Sequence, residues 1–264
     1  MRMSQIVNRN LEILQKLNII DDFMFFKMCE DKEVCEEIIS TILGRKIQVA
    51  ENHVQYAIRN CGARSVTLDC LCIDVDGNYI NVEAVQKADN DDHVKRMRVN
   101  AANIDTTFTE KGGKFKDFPD VYVIYIAKFD ILGFSDIINH IRLVSEEHPG
   151  QFIDDGIHRI VVNASVHDDS ELGKLMTDYR ADASMFPAVG RKLRDFKDLK
   201  GGNEYMCKEL DDYILESYLE RSKATVLKQI KNGLISTAEQ IEEYFNVSAA
   251  IAESWLQEGK QLVK

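Results

Sequence analysis

Proline is scarce in this chain, with three in 264 residues, and no internal repeat or low-complexity segment is visible. With 45% hydrophobic residues, such a chain buries a real core and is too long for a minimal domain. Long apolar runs are missing as well. No stretch approaches the roughly 18 or more residues of a membrane span, and the opening MRMSQIVNRN has no signal-type apolar region. Positive charge is short, at 33 Lys and Arg against 44 Asp and Glu, a net charge of −11. That balance excludes a generally basic nucleic-acid coat, because nonspecific duplex binding depends on neutralising phosphates; any such contact must be a local patch. Six cysteines are present, at positions 29, 35, 61, 70, 72 and 207, without C-x-x-C spacing or the density of a disulfide scaffold. They read as reduced, mostly buried thiols. A soluble cytoplasmic protein with no membrane segment is expected.

What is present is ordered by period. Ile6, Leu11, Leu14 and Leu17 recur at helix-like intervals. Asp21 or Asp22 is placed to cap a helix that runs on through VCEEIISTIL to a stop at Gly44. From His53 the pattern turns to strands: HVQYAIRN alternates, and RSVTLDCLCIDVD is apolar on both alternations, as a central strand should be. Asp76-Gly77-Asn78 supplies hairpin-turn residues and NYINVEAVQ returns. A helix over DDHVKRMRVNAANIDTTF, a loop at Gly112-Gly113, and strands at VYVIYIAKFDIL, IINHIRLV and HRIVVNAS follow. After Asp168 the pattern is helical, with a break at Gly201-Gly202. A long helix comes next, then two short ones with Ser236 and Ser248 as N-caps around a turn at Asn246.

Two carboxylates stand out in this pattern. Asp69 and Glu83 lie 14 positions apart on what read as adjacent buried strands, where unpaired carboxylates are costly. A divalent metal such as magnesium is one reason for such a pair, since hard cations prefer carboxylate oxygen and suit phosphodiester chemistry. The bland alternatives are that Asp69 bonds neighbouring backbone at a sheet edge and that Glu83 pairs with Lys87 or Arg96. Asp74 and Asp76 read as turn residues, and His93 as a surface residue at a helix start. Cys70 and Cys72 face one way but lack further partners at metal spacing, so they read as packing.

The block LDCLCIDVDGNYINVEAVQKADNDDHVKRMRVNAANID resembles the core of the PD-(D/E)XK nuclease family of transposase-associated, recombination-promoting proteins. IDDFMFF is similar to that family's opening motif and VYVIYIAKFDILG to its later strand. The resemblance implies an α/β fold of restriction-endonuclease type, a mixed sheet flanked by helices, over residues 1–200. Residues 201–264 form a C-terminal helical region for packing or for a homodimer. It implies a magnesium- or manganese-dependent endonuclease acting on DNA in transposition or recombination. Asp69 and Glu83 match the metal-binding acids, Gln86 the third catalytic position, and Arg96 and Arg98 the phosphate-binding basic helix. Asp22 matches an accessory acid. Lys87 or Arg96 would stabilise developing phosphorane charge.

One spacing departs from the family. Glu83 and Gln86 are three positions apart instead of two, so a regular strand points them to opposite faces. Either a β-bulge at Ala84-Val85 realigns them or the third position is lost. In the latter case the chain would be a catalytically silent relative, a nucleic-acid-binding or protein-interaction module. The C-terminal helices carry no Arg or Lys over AAIAESWLQ, so self-association with Trp255 and Phe245 as buried anchors is favoured over a helix-turn-helix.

Overall fold

The computed structural model describes residues 14–59, 65–88, 91–109, 112–177, 183–197 and 203–262, apart from the side chains of 203–209, 216, 217, 220, 221 and 262. The first helical segment and the break at Gly201-Gly202 fall largely outside these residues. The chain divides into two compact units, one spanning Leu11–Gly202 and the other holding Asn203–Lys264.

The larger unit is built on a six-stranded mixed sheet in the order β1-β2-β3-β4-β8-β5. Its strands are β1 (Val49–Ile58), β2 (Val66–Asp74), β3 (Tyr79–Val85), β4 (Val121–Ala127), β5 (Ile138–Ile141) and β8 (Ile157–Asn163). Two short strands, β6 (Leu143–Val144) and β7 (Phe152–Ile153), form a separate pair. β1, β2 and β3 are antiparallel neighbours, whereas β3, β4 and β8 run parallel. Every residue of β4 is buried, which accounts for its unbroken β-branched and aromatic sequence. The β2–β3 turn forms as its residues suggest. Asp74 Oδ1 accepts from the backbone N–H groups of Asp76 at 3.0 Å and Asn78 at 2.8 Å, while Gly77 takes a φ of 87° that Gly alone adopts without strain.

Helices cover both faces of this sheet. The single helix expected near the start is two, α1 (Asp22–Cys29) and α2 (Lys32–Leu43). The chain breaks at Asp31, which is extended and uses its carboxylate to accept the Glu33 N–H. Asp21 holds the N-cap position of α1 without capping it. Its carboxylate instead accepts the Asn18 N–H and pairs with Lys128. Gly44 ends α2 in the left-handed conformation, as expected. On this side Phe25, Cys29, Cys35, Ile38 and Ile39 meet Cys70 and Val82 of the sheet.

On the other side lies α3 (His93–Phe108), capped by Asp92. Its Met97, Ala101 and Ile104 pack with Leu71, Val85, Val123 and Tyr125. His93 belongs to that inward stripe and is buried, not a surface residue; four residues separate it from Met97, and its ring sits 5.5 Å from that of Phe129. Two further helices, α4 (Glu171–Thr177) and α5 (Pro187–Lys197), complete the unit. Glu37 of α2 receives the first N–H groups of α5, Val189 at 2.7 Å and Ala188 at 3.4 Å.

The second unit comprises α6 (Asn203–Lys231), α7 (Ala238–Phe245) and α8 (Ala249–Leu262). Trp255 is buried with Val226, Ile230, Ile235 and Ile241, and Phe245 packs against this cluster partly exposed. α7 is capped by Thr237, one residue beyond the expected Ser236, because Thr237 and Gln240 close a reciprocal capping box. Asn246 turns the chain in the left-handed region at φ 46°. Among the described residues no helix is long and apolar enough to cross a membrane.

Candidate active site

The β2–β3 ladder pairs Ile73 with Tyr79 through Cys70 with Val82 and stops there. Asp69 and Glu83 occupy the next position, where the strands part. Their carboxylates take the place of ladder bonds. Glu83 Oε1 accepts the Asp69 N–H at 3.2 Å, and Asp69 Oδ2 accepts the Ala84 N–H at 3.2 Å. Both acids therefore bond neighbouring backbone, which leaves each with spare lone pairs.

Glu83 faces the α3 side, because its register partner on β4 is Tyr125 of the α3-side core. It is buried, and a chain of amides supports it. Asn81 Nδ2 donates to Glu83 Oε1 at 2.8 Å and to the Cys70 carbonyl at 3.3 Å. Asn100 of α3 donates in turn to Asn81 Oδ1 and to the Tyr125 hydroxyl, each at 3.2 Å. On the other flank Gln55 of β1 donates to Asp69 Oδ1 over a long 3.4 Å. Gln55 has a φ of 50°, an uncommon backbone state for a non-glycine residue in a strand and a local strain beside the acids.

The electrostatics match this crowding. Burial, then the neighbouring Asp69 charge, pushes Glu83 up to about 8 against the opposing pull of the Asn81 and Asp69 hydrogen bonds and of Arg96. Burial pushes Asp69 up to about 6, with Asp22 adding to the rise and the Ala84 N–H, Arg96 and Gln55 opposing it. Tyr125 is raised by burial and then by Glu83. Two acids held this close with an excess of negative charge are a fit for a divalent cation, whose charge would relieve the repulsion that raises them.

The other sequence-selected residues are placed unevenly around this pair. Arg96 is half-buried, its charge reaches both acids, and its Nε lies 4.0 Å from the Asp91 carboxylate. Arg98 and Lys87 are exposed. Among the described residues neither Lys87 nor Arg96 forms an ion pair with Glu83. Asp22, the first residue of α1, acts on Asp69 through its charge, but Asp22, Asp69 and Glu83 do not form a set of three oxygens within 4.8 Å. No bulge occurs at Ala84-Val85: β3 pairs with β4 in constant register from Tyr79 with Val121 to Val85 with Ala127. Gln86 thus points away from Glu83, and its Nε2 donates to the Ile20 carbonyl just before α1.

Sequence reasoning passed over Asn81, Asn100, Gln55 and Tyr125. Asn81 offered a signal, an amide two residues before Glu83 and on the same face of an otherwise apolar strand.

The sequence pattern of the PD-(D/E)XK nuclease family transposases matches residues 20–164, more than half of the chain. The chain belongs to this family. The match contains β2, β3 and α3, and the mixed sheet flanked by helices is the restriction-endonuclease-like fold of PD-(D/E)XK proteins. Membership in the PD-(D/E)XK family supports a nuclease-related function in transposition or recombination. Neither a curated protein nor a solved structure gives a match to the chain.

Proposed function

We propose that the protein is a divalent-metal-dependent DNA endonuclease that hydrolyses phosphodiester bonds in transposition or recombination and acts in the cytoplasm. The observation that carries this reading is the reciprocal pair of acids, half-buried Asp69 and buried Glu83, at the point where β2 and β3 separate. Asp69 and Glu83 would hold magnesium or manganese. A bound ion of that kind would supply neutralisation of phosphate charge and a more acidic water. Asn81 fixes the Glu83 carboxylate, and Asn100 fixes Asn81. Arg96 is the cation whose charge already acts on both acids, so it suits stabilisation of charge on the reacting phosphate. Arg98 and Lys87 are exposed and suit phosphate contact along DNA. Gln86 serves by anchoring the segment that leads into α1, and Asp22 by adding negative charge near Asp69. Self-association through α6, which exposes Ile214, Leu215 and Tyr218, belongs to the same reading, and light scattering tests it.

Plasmid cleavage with magnesium or manganese, run beside Asp69→Ala, tests the assignment. Cutting by the parent chain and not by the variant is expected; equal cutting by both rejects the site. One observation favours a second reading, a catalytically silent nucleic-acid-binding or protein-interaction module. The unbroken β3–β4 register sends Gln86 to the wrong face for the third catalytic position. Absence of cutting by either chain, with DNA binding retained, selects that reading.

A further inference from the structure

Four cysteine side chains meet on the sheet face opposite Glu83. Cys29 is the last residue of α1, Cys35 lies in the first turn of α2, and Cys70 and Cys72 are alternate residues of β2. None is more than 2% exposed. The Sγ atoms of Cys35 and Cys70 are 3.9 Å apart, and those of Cys70 and Cys72 are 3.7 Å apart. The Sγ atoms of Cys29, Cys35 and Cys70 all fall within 4.8 Å of one another. Four of the six cysteines in the chain are thus gathered from the consecutive helices α1 and α2 and from β2, which is distant from them in sequence. Cys70 and Cys72 are buried as packing residues would be, but the further cysteine partners that sequence spacing did not show are supplied by Cys29 at the end of α1 and Cys35 near the start of α2.

Distances decide what such a cluster suits. Tetrahedral coordination with a zinc–sulfur bond of about 2.3 Å sets sulfur–sulfur edges of about 3.8 Å. Two edges, Cys35–Cys70 at 3.9 Å and Cys70–Cys72 at 3.7 Å, fall on either side of that value. Cys72, which lies outside the set of three sulfurs within 4.8 Å of one another, completes the tetrahedron by a shift of its side chain toward them. Disulfide-bonded sulfurs would be about 2.05 Å apart. The lining is soft and dry, with Phe25, Ile38, Ile39 and Val82 beside the thiols and no carboxylate or water-facing group to favour a hard cation.

We propose that Cys29, Cys35, Cys70 and Cys72 form a structural site for one thiophilic divalent cation of the zinc class. Binding displaces the thiol protons to solvent and leaves four thiolates on one ion. The site clamps the α1–α2 turn onto β2. Cys70 adjoins Asp69 in sequence, and Cys29 ends the helix that Asp22 begins, so the clamp holds in register the two elements that carry acids of the proposed active site. The site itself does not depend on nuclease activity.

The test uses the full chain. Protein from zinc-supplemented culture is washed with a chelator and its metal content measured. It is then unfolded, stripped and refolded with cobalt(II) for absorption spectroscopy. One zinc per chain is expected to survive the wash, and cobalt is expected to give the thiolate charge-transfer and tetrahedral ligand-field bands. Cys70→Ser loses the stoichiometric zinc. Both signals persist in the Cys61→Ser/Cys207→Ser chain and in Asp69→Ala/Glu83→Ala, which separates this site from the acid pair. The cobalt spectrum of the parent chain needs no variant to fold. A folded, metal-free parent without those bands, its cysteines all free to alkylation after unfolding, overturns the proposal, as does a disulfide among the four.

Discussion

Glu83 accepts the backbone N–H of Asp69 at 3.2 Å while Asp69 accepts that of Ala84 at the same distance, so two acids stand in for the ladder bonds the parting strands have lost. The backbone is thereby satisfied, but two acids are set side by side, Glu83 buried and Asp69 half-buried. Glu83→Gln keeps an oxygen for the Asp69 and Asn81 donors and removes one charge. The metal-free variant is expected to be more stable than the parent above about pH 8, by on the order of 2–4 kcal/mol, since each tenfold change in proton affinity corresponds to about 1.4 kcal/mol. Cleavage is expected to be lost. Urea unfolding beside a plasmid assay checks both, and a destabilised variant would sink the account of Glu83.

Much of this arrangement was legible in the sequence because it follows periodicity. The β2–β3 hairpin with its Asp74–Asn78 turn, the fully apolar β4, and the position of Asp69 and Glu83 on adjacent strands all come from alternation and turn chemistry. What was not legible depends on tertiary contact. No local rule says that Asn100 of α3 reaches Asn81, or that the α1–α2 turn carries Cys29 and Cys35 to Cys70. The break at Asp31 was hidden because helical periodicity continues through it, and only the capping of the Glu33 N–H reveals it. The spacing of Glu83 and Gln86 was visible, but its outcome was decided by the register with β4.

Asn81 is fully buried and links Glu83, Cys70 and Asn100. Asn81→Ala leaves the Asn100 amide short of an acceptor and removes a donor that favours ionised Glu83. A loss of about 1–3 kcal/mol in stability is expected. Magnesium dependence should also move to higher concentration, because Glu83 is then harder to ionise. Denaturation and a magnesium titration of cleavage measure the two effects. An unchanged magnesium midpoint would remove Asn81 from the site.

Arg96 and Arg98 are expected to separate. Arg96 lowers both acids, so Arg96→Ala should shift the pH profile of cleavage upward as well as reduce its rate. Arg98 is exposed and is not among the leading charges that act on the acids. Arg98→Ala should leave the profile in place and weaken DNA binding, and the slope of log affinity against log salt should flatten by about one for the phosphate that is no longer neutralised. Identical behaviour of the two variants would remove the distinction drawn between them.

The acid pair also fixes the sign of a pH effect on the metal-free protein. Asp69 at about 6 and Glu83 at about 8 lie above ordinary carboxylates, so the folded state binds more protons than the unfolded state across that interval. Their contribution to stability is fully present below about pH 4, where unfolded carboxylates are themselves protonated, and is lost as pH rises through the two folded values. The melting temperature of the metal-free parent, compared with that of Asp69→Asn/Glu83→Gln, should therefore fall from pH 4 to about pH 8 and then level off. Magnesium competes with those same protons. Its stabilising effect should be small near pH 5 and largest above about pH 8, where both acids are ionised. Thermal melts with and without magnesium across this range decide the matter. A magnesium effect equal at both ends of the range would mean that the ion binds elsewhere than at Asp69 and Glu83.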